Sequence, residues 1–168
     1  SKIPVIFIGS GSNLLIWDEG FKGIVISLKK TFKKLLIKSD LTINVESGVM
    51  LGTMVKEAIR KNISGLESLA GVPGTVGGAL FMNAGAFGGE ISNYFLEAKT
   101  MTLSGDIKNY SKFDVQFSYR NSSFPIDEIL IEAKFKCNKG RLNKIKEEQK
   151  KSSQVRKLNQ PLKFRSAG

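Results

Sequence analysis

The chain has 168 residues, enough for one domain or two small lobes, and its 41% hydrophobic and 24% charged residues are typical of a globular protein. It has no histidine and one cysteine, which excludes histidine-based catalytic dyads, internal disulfides and cysteine metal clusters. The sequence contains no run of 18 apolar residues, so no membrane-spanning helix is predicted, and the single cysteine favours a reducing cytoplasm.

The first 65 residues read as short strands followed by a helix. Apolar runs predict strands at 3–8, 14–17, 24–28, 34–38 and 41–47. A helix over 51–62 is predicted by one apolar face, made of Leu51, Met54, Val55, Ala58 and Ile59. Gly65 lies just beyond this helix, where a stop signal is expected.

The second half continues the mixture of strands and helices. Residues 97–103 and 107–110 flank Ser104-Gly105-Asp106, which predicts a hairpin. Residues 111–114 resemble a capping box that opens a short helix. A strand at 129–137 and a Lys- and Glu-rich helix at about 141–158 follow. This mixture predicts an α+β fold.

The net charge of +11 is concentrated at one end of the sequence. Residues 134–168 carry twelve Lys and Arg against two acids, whereas residues 1–133 carry 14 basic and 13 acidic residues. Such a segment could bind nucleic acid or a phosphorylated ligand. The interpretation that we favour is a solvated helix face. Only Phe135 and Phe164 are aromatic there, so a stacking platform for single strands is poorly supported.

The first candidate site is a glycine- and serine-rich bend directly after the strand at 3–8. Its residues are Gly9, Ser10, Gly11, Ser12 and Asn13. Main-chain N–H groups in such a bend can form an anion nest, and the hydroxyls add donors, so a pyrophosphate would suit it. The dinucleotide fingerprint needs a third glycine at position 14, which is Leu, so this is not a Rossmann turn. A simple tight turn is the alternative.

The second candidate site lies in residues 71–91, within a stretch that has eight glycines between positions 65 and 89. Pro73-Gly74 suits a turn, Thr75 can cap a following helix, and small residues leave room for a flat ligand. The predicted ligand contacts are Pro73, Gly74, Thr75, Gly77, Gly78, Asn83, Gly85 and Ala86. Close packing of a helix on a sheet is the alternative explanation.

The third candidate site is Arg120, which follows Tyr119 between aromatic and small hydroxyl residues in the segment 117–124. A restrained and partly desolvated guanidinium can clamp a carboxylate or stabilise an enolate. The alternative is an exposed loop arginine.

At these motifs the chain resembles the UDP-N-acetylenolpyruvoylglucosamine reductase (MurB) family. The matching stretches are residues 4–28, 65–91, 117–124 and 160–168, in the family's order. The resemblance implies an FAD-binding PCMH-type (vanillyl-alcohol-oxidase-like) fold of two α+β subdomains. These would be residues 1–47, incomplete, and residues 48–137. Residues 138–168 would begin a truncated substrate-binding domain.

The resemblance also implies a reaction and a role for each motif. FAD would lie with its phosphates at the bends 9–13 and 73–78 and its ring near 83–88. NADPH would reduce the flavin, and hydride would pass to C3 of UDP-N-acetylglucosamine enolpyruvate, in peptidoglycan precursor synthesis. Arg120 matches the family's active-site arginine, and Tyr119 its neighbour in the substrate pocket. Arg156 and Gln160 resemble residues near the ligand anions.

Three family features fall outside these residues: the proton donor after Ser-Ala-Gly (166–168), a later catalytic glutamate and an amino-terminal segment. We therefore expect a fragment that is inactive alone. The alternatives are another FAD-dependent oxidoreductase of the same fold and a basic nucleic-acid-binding module. The central expectation is that the two glycine bends converge and that Arg120 lies beside their shared cleft.

Overall fold

The computed structural model describes residues 3–159, in which strands and helices alternate along the chain. The strands are β1 (Val5–Ile8), β2 (Ile24–Ser27), β3 (Leu35–Ile37), β4 (Thr42–Glu46), β5 (Ile63–Ser64), β6 (Gly85–Ala86), β7 (Gly89–Glu90), β8 (Phe95–Met101), β9 (Ile107–Ser111), β10 (Phe117–Ser118), β11 (Asn121–Ser122), β12 (Ile129–Lys136) and β13 (Asn138–Lys139). The helices are α1 (Leu51–Arg60), α2 (Val76–Phe81) and α3 (Leu142–Asn159), with short 3-10 helices at Glu67–Leu69 and Ile91–Tyr94.

A five-stranded antiparallel sheet organises the fold, in the order β3-β4-β12-β8-β9. Strand β12 is central, with Ala133 opposite Val45 of β4 on one side and Ala98 of β8 on the other. The sheet crosses the subdomain boundary expected at residue 47, because β3 and β4 precede that position while its other strands follow it. The boundaries at 47 and 137 stay predictions.

Helix α1 covers the core as its sequence pattern predicts. All five apolar positions of its predicted face are buried, in one cluster with Ile43 and Phe135 of the sheet. Burial of each large apolar side chain stabilises the fold by about 2 kcal/mol. The helix ends at Arg60, and the first residue with a positive φ beyond it is Asn62, at +56°. Gly65 also has a positive φ, +122°, but it follows β5 and so lies too far on to end the helix.

The strand predicted at 14–17 is wrong. These residues are irregular and exposed, with Leu15 at 89% and Trp17 at 85%. Strand β1 instead pairs in parallel with β2, Val5 opposite Ile24, and the chain between them forms the connection. An apolar run becomes a strand only where a neighbouring strand supplies hydrogen bonds, and no strand pairs with 14–17 in the part of the chain described.

The short helix predicted at 111–114 is also wrong. Asp114 Oδ2 accepts hydrogen bonds from the Ser111 amide at 2.8 Å and from the Ser111 hydroxyl at 2.6 Å, which closes a single turn. The chain then continues to buried Val115 and into β10. The capping residues satisfy one another locally, and no apolar helical face follows to extend the turn. The hairpin of β8 and β9 is confirmed.

Helix α3 carries much of the positive charge. Ile145 packs into the core, whereas Lys144, Lys146, Lys150 and Lys151 are exposed. The interpretation of this segment as a solvated helix face is confirmed for these lysines. None of the helices among residues 3–159 has the length and apolar character that a membrane span requires.

Candidate functional site

The first glycine bend, residues 9–13, follows β1 directly. Gly11 has φ +74°, a conformation that favours glycine, and a β-carbon placed there would meet open space. The Ser27 hydroxyl at the end of β2 donates to the Gly9 carbonyl at 3.1 Å. The bend is therefore anchored to both strands of the parallel pair.

The second glycine bend, residues 73–78, leads into α2. Gly74 has φ +130°, and the Thr75 hydroxyl accepts a hydrogen bond from the Gly78 amide at 3.4 Å, which confirms Thr75 as the helix cap. Gly77 donates its amide to the Ser47 carbonyl, and a β-carbon on Gly77 would lie 2.7 Å from that of Ser47. Close packing thus accounts for Gly77, whereas Gly78 is half-buried and a β-carbon there would make only an ordinary contact, 3.6 Å from Thr75 Oγ1.

The two bends touch although about sixty residues separate them. The Ser12 hydroxyl donates to the Pro73 carbonyl at 3.3 Å. A β-carbon on Gly9 would lie only 2.2 Å from Thr75 Oγ1, and one on Gly74 would lie 3.2 Å from Ser12 Oγ. The expected convergence of the bends is present, and it depends on the absence of a side chain at Gly9.

Asn83 lies just beyond the other end of α2, about 9 Å of helix away at 1.5 Å per residue. It is 1% exposed and has φ +42°, a left-handed conformation that asparagine tolerates. Its Nδ2 donates to Glu90 Oε2 at 2.9 Å and to the Ser118 carbonyl at 3.0 Å. Its Oδ1 is buried and has no partner among the described residues.

Arg120 lies in the tight turn between β10 and β11. Its φ of +55° is uncommon for a residue with a side chain, and the hairpin beneath holds it. Phe117 and Phe124 pack edge to face on Phe95, with centroids 5.4 and 6.1 Å away. The Ser122 hydroxyl donates to the Phe81 carbonyl at 2.6 Å, which ties this hairpin to the end of α2.

The Arg120 side chain is restrained but exposed, so the expected desolvation is wrong for this chain. Its Nη1 donates to the Gly85 carbonyl at 3.3 Å, and its guanidinium lies 5.4 Å from the centre of the Tyr119 ring. A groove of about 350 Å³ opens there; its lining includes Asn83, Gly85, Ala86, Glu90, Asn93, Tyr119 and Arg120. Its volume is in the range of small-ligand sites.

Sequence reasoning missed Glu90 and Asn93 in the lining of this groove, and Ser118, whose carbonyl accepts a hydrogen bond from Asn83. The Gly88-Gly89-Glu90 run at the end of the second motif could have drawn attention to Glu90. Two further residues were predicted to lie near the ligand anions. Arg156 belongs to α3, but the structure describes only its backbone, and Gln160 lies outside the described residues. The ligand roles of all the site residues stay predictions.

The fold and the two glycine bends define a flavin-binding domain, and the comparison with protein families agrees. The model of the FAD binding domain family matches residues 1–111, and the chain belongs to this family. Its α+β architecture is the FAD-binding fold shared by MurB and vanillyl-alcohol-oxidase-like flavoenzymes.

The sequence relatives of this chain include UDP-N-acetylenolpyruvoylglucosamine reductases. The chain is 41% identical over 168 residues to the UDP-N-acetylenolpyruvoylglucosamine reductase of Streptococcus uberis, and equally to that of Streptococcus pyogenes serotype M5. The alignments cover 99% of this chain but 55% and 56% of those proteins. The chain thus spans a little over half the length of these curated relatives.

Solved structures give the same fold. The crystal structure of UDP-N-acetylenolpyruvylglucosamine reductase (MurB) from Thermus caldophilus superposes with a TM-score of 0.86 at 33% identity, over 100% of this chain and 60% of that one. The 6-hydroxy-D-nicotine oxidase from Arthrobacter nicotinovorans has a TM-score of 0.59 at 16% identity, covering 82% of this chain and 31% of its own. The second likeness shows the fold alone.

Proposed function

We propose that this chain forms the FAD-binding part of an NADPH-dependent reductase that converts UDP-N-acetylglucosamine enolpyruvate to UDP-N-acetylmuramate. The contact between the bends 9–13 and 73–78 is the observation that carries the proposal, together with the Arg120 groove at the far end of α2. The reductase relatives support this choice over other flavin oxidoreductases of the same fold. The reaction belongs to peptidoglycan precursor synthesis, and we infer a cytoplasmic location.

The residues present fit FAD at two places. The bend 9–13 can present main-chain amides to a diphosphate, and Gly11 leaves open space beside them. The Ser12 hydroxyl already donates to the Pro73 carbonyl, so its part is to hold the two bends together. At the groove, the buried and unpartnered Asn83 Oδ1 needs a donor, which the imide N–H of a flavin ring can supply. Bound FAD would supply the hydride that it receives from NADPH.

Arg120 has the central role among the groove residues in this proposal. Its planar guanidinium can hold the carboxylate of the enolpyruvyl group through two hydrogen bonds. It then stabilises the negative charge that develops on that carboxylate when hydride reaches C3. The hydrogen bond to the Gly85 carbonyl and the Tyr119 ring keep the guanidinium at the mouth of the groove.

The test separates the two half-reactions by stopped-flow absorbance. The flavin-loaded protein containing this chain should show flavin absorption, and its NADPH consumption should require the enolpyruvyl substrate. Arg120→Ala should leave flavin reduction by NADPH intact and slow substrate reduction by about 100-fold. Arg60→Ala is the matched control, because Arg60 is an exposed residue of α1 paired with Glu57. An equal loss in both half-reactions would refute the role of Arg120, and absence of flavin would refute the proposal.

A further inference from the structure

Glu90 is the acidic side chain of the groove, and the proposed reaction leaves it without a role. It ends β7, directly opposite Gly85 in the β6–β7 pair, and is half-buried. Its Oε2 accepts a hydrogen bond from Asn83 Nδ2 at 2.9 Å. A carboxylate that accepts from a buried amide makes a stronger bond than a neutral acceptor would.

The surroundings of Asn83 define which way its amide faces. Both Nδ2 hydrogens have acceptors, the Glu90 carboxylate and the Ser118 carbonyl. A flipped amide would turn Oδ1 toward these two acceptors and leave all three groups without donors. Since Asn83 is 1% exposed, water cannot compensate for that loss. Glu90 and the Ser118 carbonyl together therefore select the orientation in which Nδ2 faces both acceptors and Oδ1 remains the free acceptor, and Glu90 is the charged one of the two.

This orientation connects two segments that the proposed reaction needs together. Ser118 immediately precedes the Tyr119-Arg120 turn, so the Asn83 amide holds the base of that turn. The Arg120 guanidinium returns to the Gly85 carbonyl, two residues after Asn83. Two hydrogen bonds thus connect the segment 83–85 with the turn that carries Arg120, and Glu90 stabilises the first of them.

We propose that Glu90 is a positioning residue, which holds the Asn83 amide in one orientation and through it fixes Arg120 and the free Oδ1 at the groove. Its consequence for catalysis rests on the proposed function. The orientation of the amide does not, because it depends only on contacts within the chain.

The direct test is Glu90→Ala beside Glu90→Gln, since glutamine keeps an oxygen that can accept from Asn83. In a nitrogen–proton correlation spectrum, the side-chain amide protons of Asn83 should exchange slowly in the wild type and in Glu90→Gln. They should exchange at least tenfold faster in Glu90→Ala. In the flavin-loaded protein, Glu90→Ala should slow substrate reduction about tenfold, with flavin reduction by NADPH unchanged. Glu97→Ala, which removes an exposed carboxylate paired with Lys134, should match the wild type.

A second arm covers the case in which Glu90→Ala does not fold. Asn83→Asp places a carboxylate against Glu90, and adding Glu90→Gln supplies an N–H that can donate to it. We expect the double variant to recover at least part of the half-reaction rate lost in Asn83→Asp. Unchanged amide exchange in Glu90→Ala, or no recovery in the double variant, would overturn the proposal. A wild type without flavin would instead refute the proposed function, while amide exchange would still decide the role of Glu90.

Discussion

Gly9→Ala tests whether the contact between the two glycine bends holds the site together. The new β-carbon would lie 2.2 Å from Thr75 Oγ1, far inside normal contact distance, so the bends must separate. Gly9 is not among the residues with positive φ, unlike Gly11 and Gly74, so alanine adds a clash without backbone strain. Such overpacking costs about 1–3 kcal/mol of unfolding free energy.

A double-mutant cycle with Thr75→Ala isolates this contact. Thr75→Ala alone loses the helix cap, which costs about 1 kcal/mol. It also removes the clashing Oγ1, so Gly9→Ala in that background should add little. Denaturant unfolding followed by circular dichroism gives the free energies, and titration with FAD gives the affinity, which should fall at least tenfold, about 1.4 kcal/mol, in Gly9→Ala.

Gly52→Ala is the matched control, because a β-carbon at this exposed α1 position meets open space. It should leave FAD affinity unchanged and stabilise the helix by up to about 1 kcal/mol. The two bends do not depend on this contact if Gly9→Ala has the free energy of unfolding and the FAD affinity of the wild type. The same conclusion follows if the stability losses of Gly9→Ala and Thr75→Ala simply add in the double variant.

Three further predictions concern the rest of the chain. Burial favours the neutral form of Glu128, but hydrogen bonds from Lys108, Thr100 and Tyr110 outweigh this effect and hold the pKa of Glu128 below its usual value. The ionised carboxylate therefore stabilises the fold fully above about pH 4.5, and this stabilisation is lost as the pH falls through the pKa of the folded state. Glu128→Ala should cost about 2 kcal/mol at pH 7, because it removes several hydrogen bonds to a carboxylate, and it should flatten the acid limb of a stability–pH curve; an unchanged curve would contradict this. Burial, assisted by Glu67, raises the pKa of the Cys137 thiol to about 12, so a thiol reagent should modify it only after unfolding, and rapid native labelling would refute its burial. Residues 1–133 are nearly neutral, and Phe135, the one aromatic residue in the range 134–159, is buried and cannot stack on a base. A gel-shift assay at physiological salt should therefore detect no binding of RNA or DNA; a shift that weakens steeply with added salt would support the nucleic-acid alternative.

The amino-acid sequence by itself determined the local elements. The spacing of five apolar residues defined the buried face of α1, and Ser104-Gly105-Asp106 defined the β8–β9 hairpin. The glycines marked both bends, and Thr75 marked the start of α2. These features follow from neighbours within a few residues, where periodicity, capping and turn preferences act directly.

Only the tertiary structure decided which of these elements meet. The order β3-β4-β12-β8-β9 places strands from both ends of the chain side by side, which no local pattern specifies. The apolar run at 14–17 predicted a strand wrongly, because pairing depends on a distant partner that is not there among the described residues. Periodicity reports which side chains are buried but not what they are buried against. For that reason the contact of Gly9 with Thr75, and the hydrogen bonds among Glu90, Asn83 and Ser118, became visible only in the folded chain.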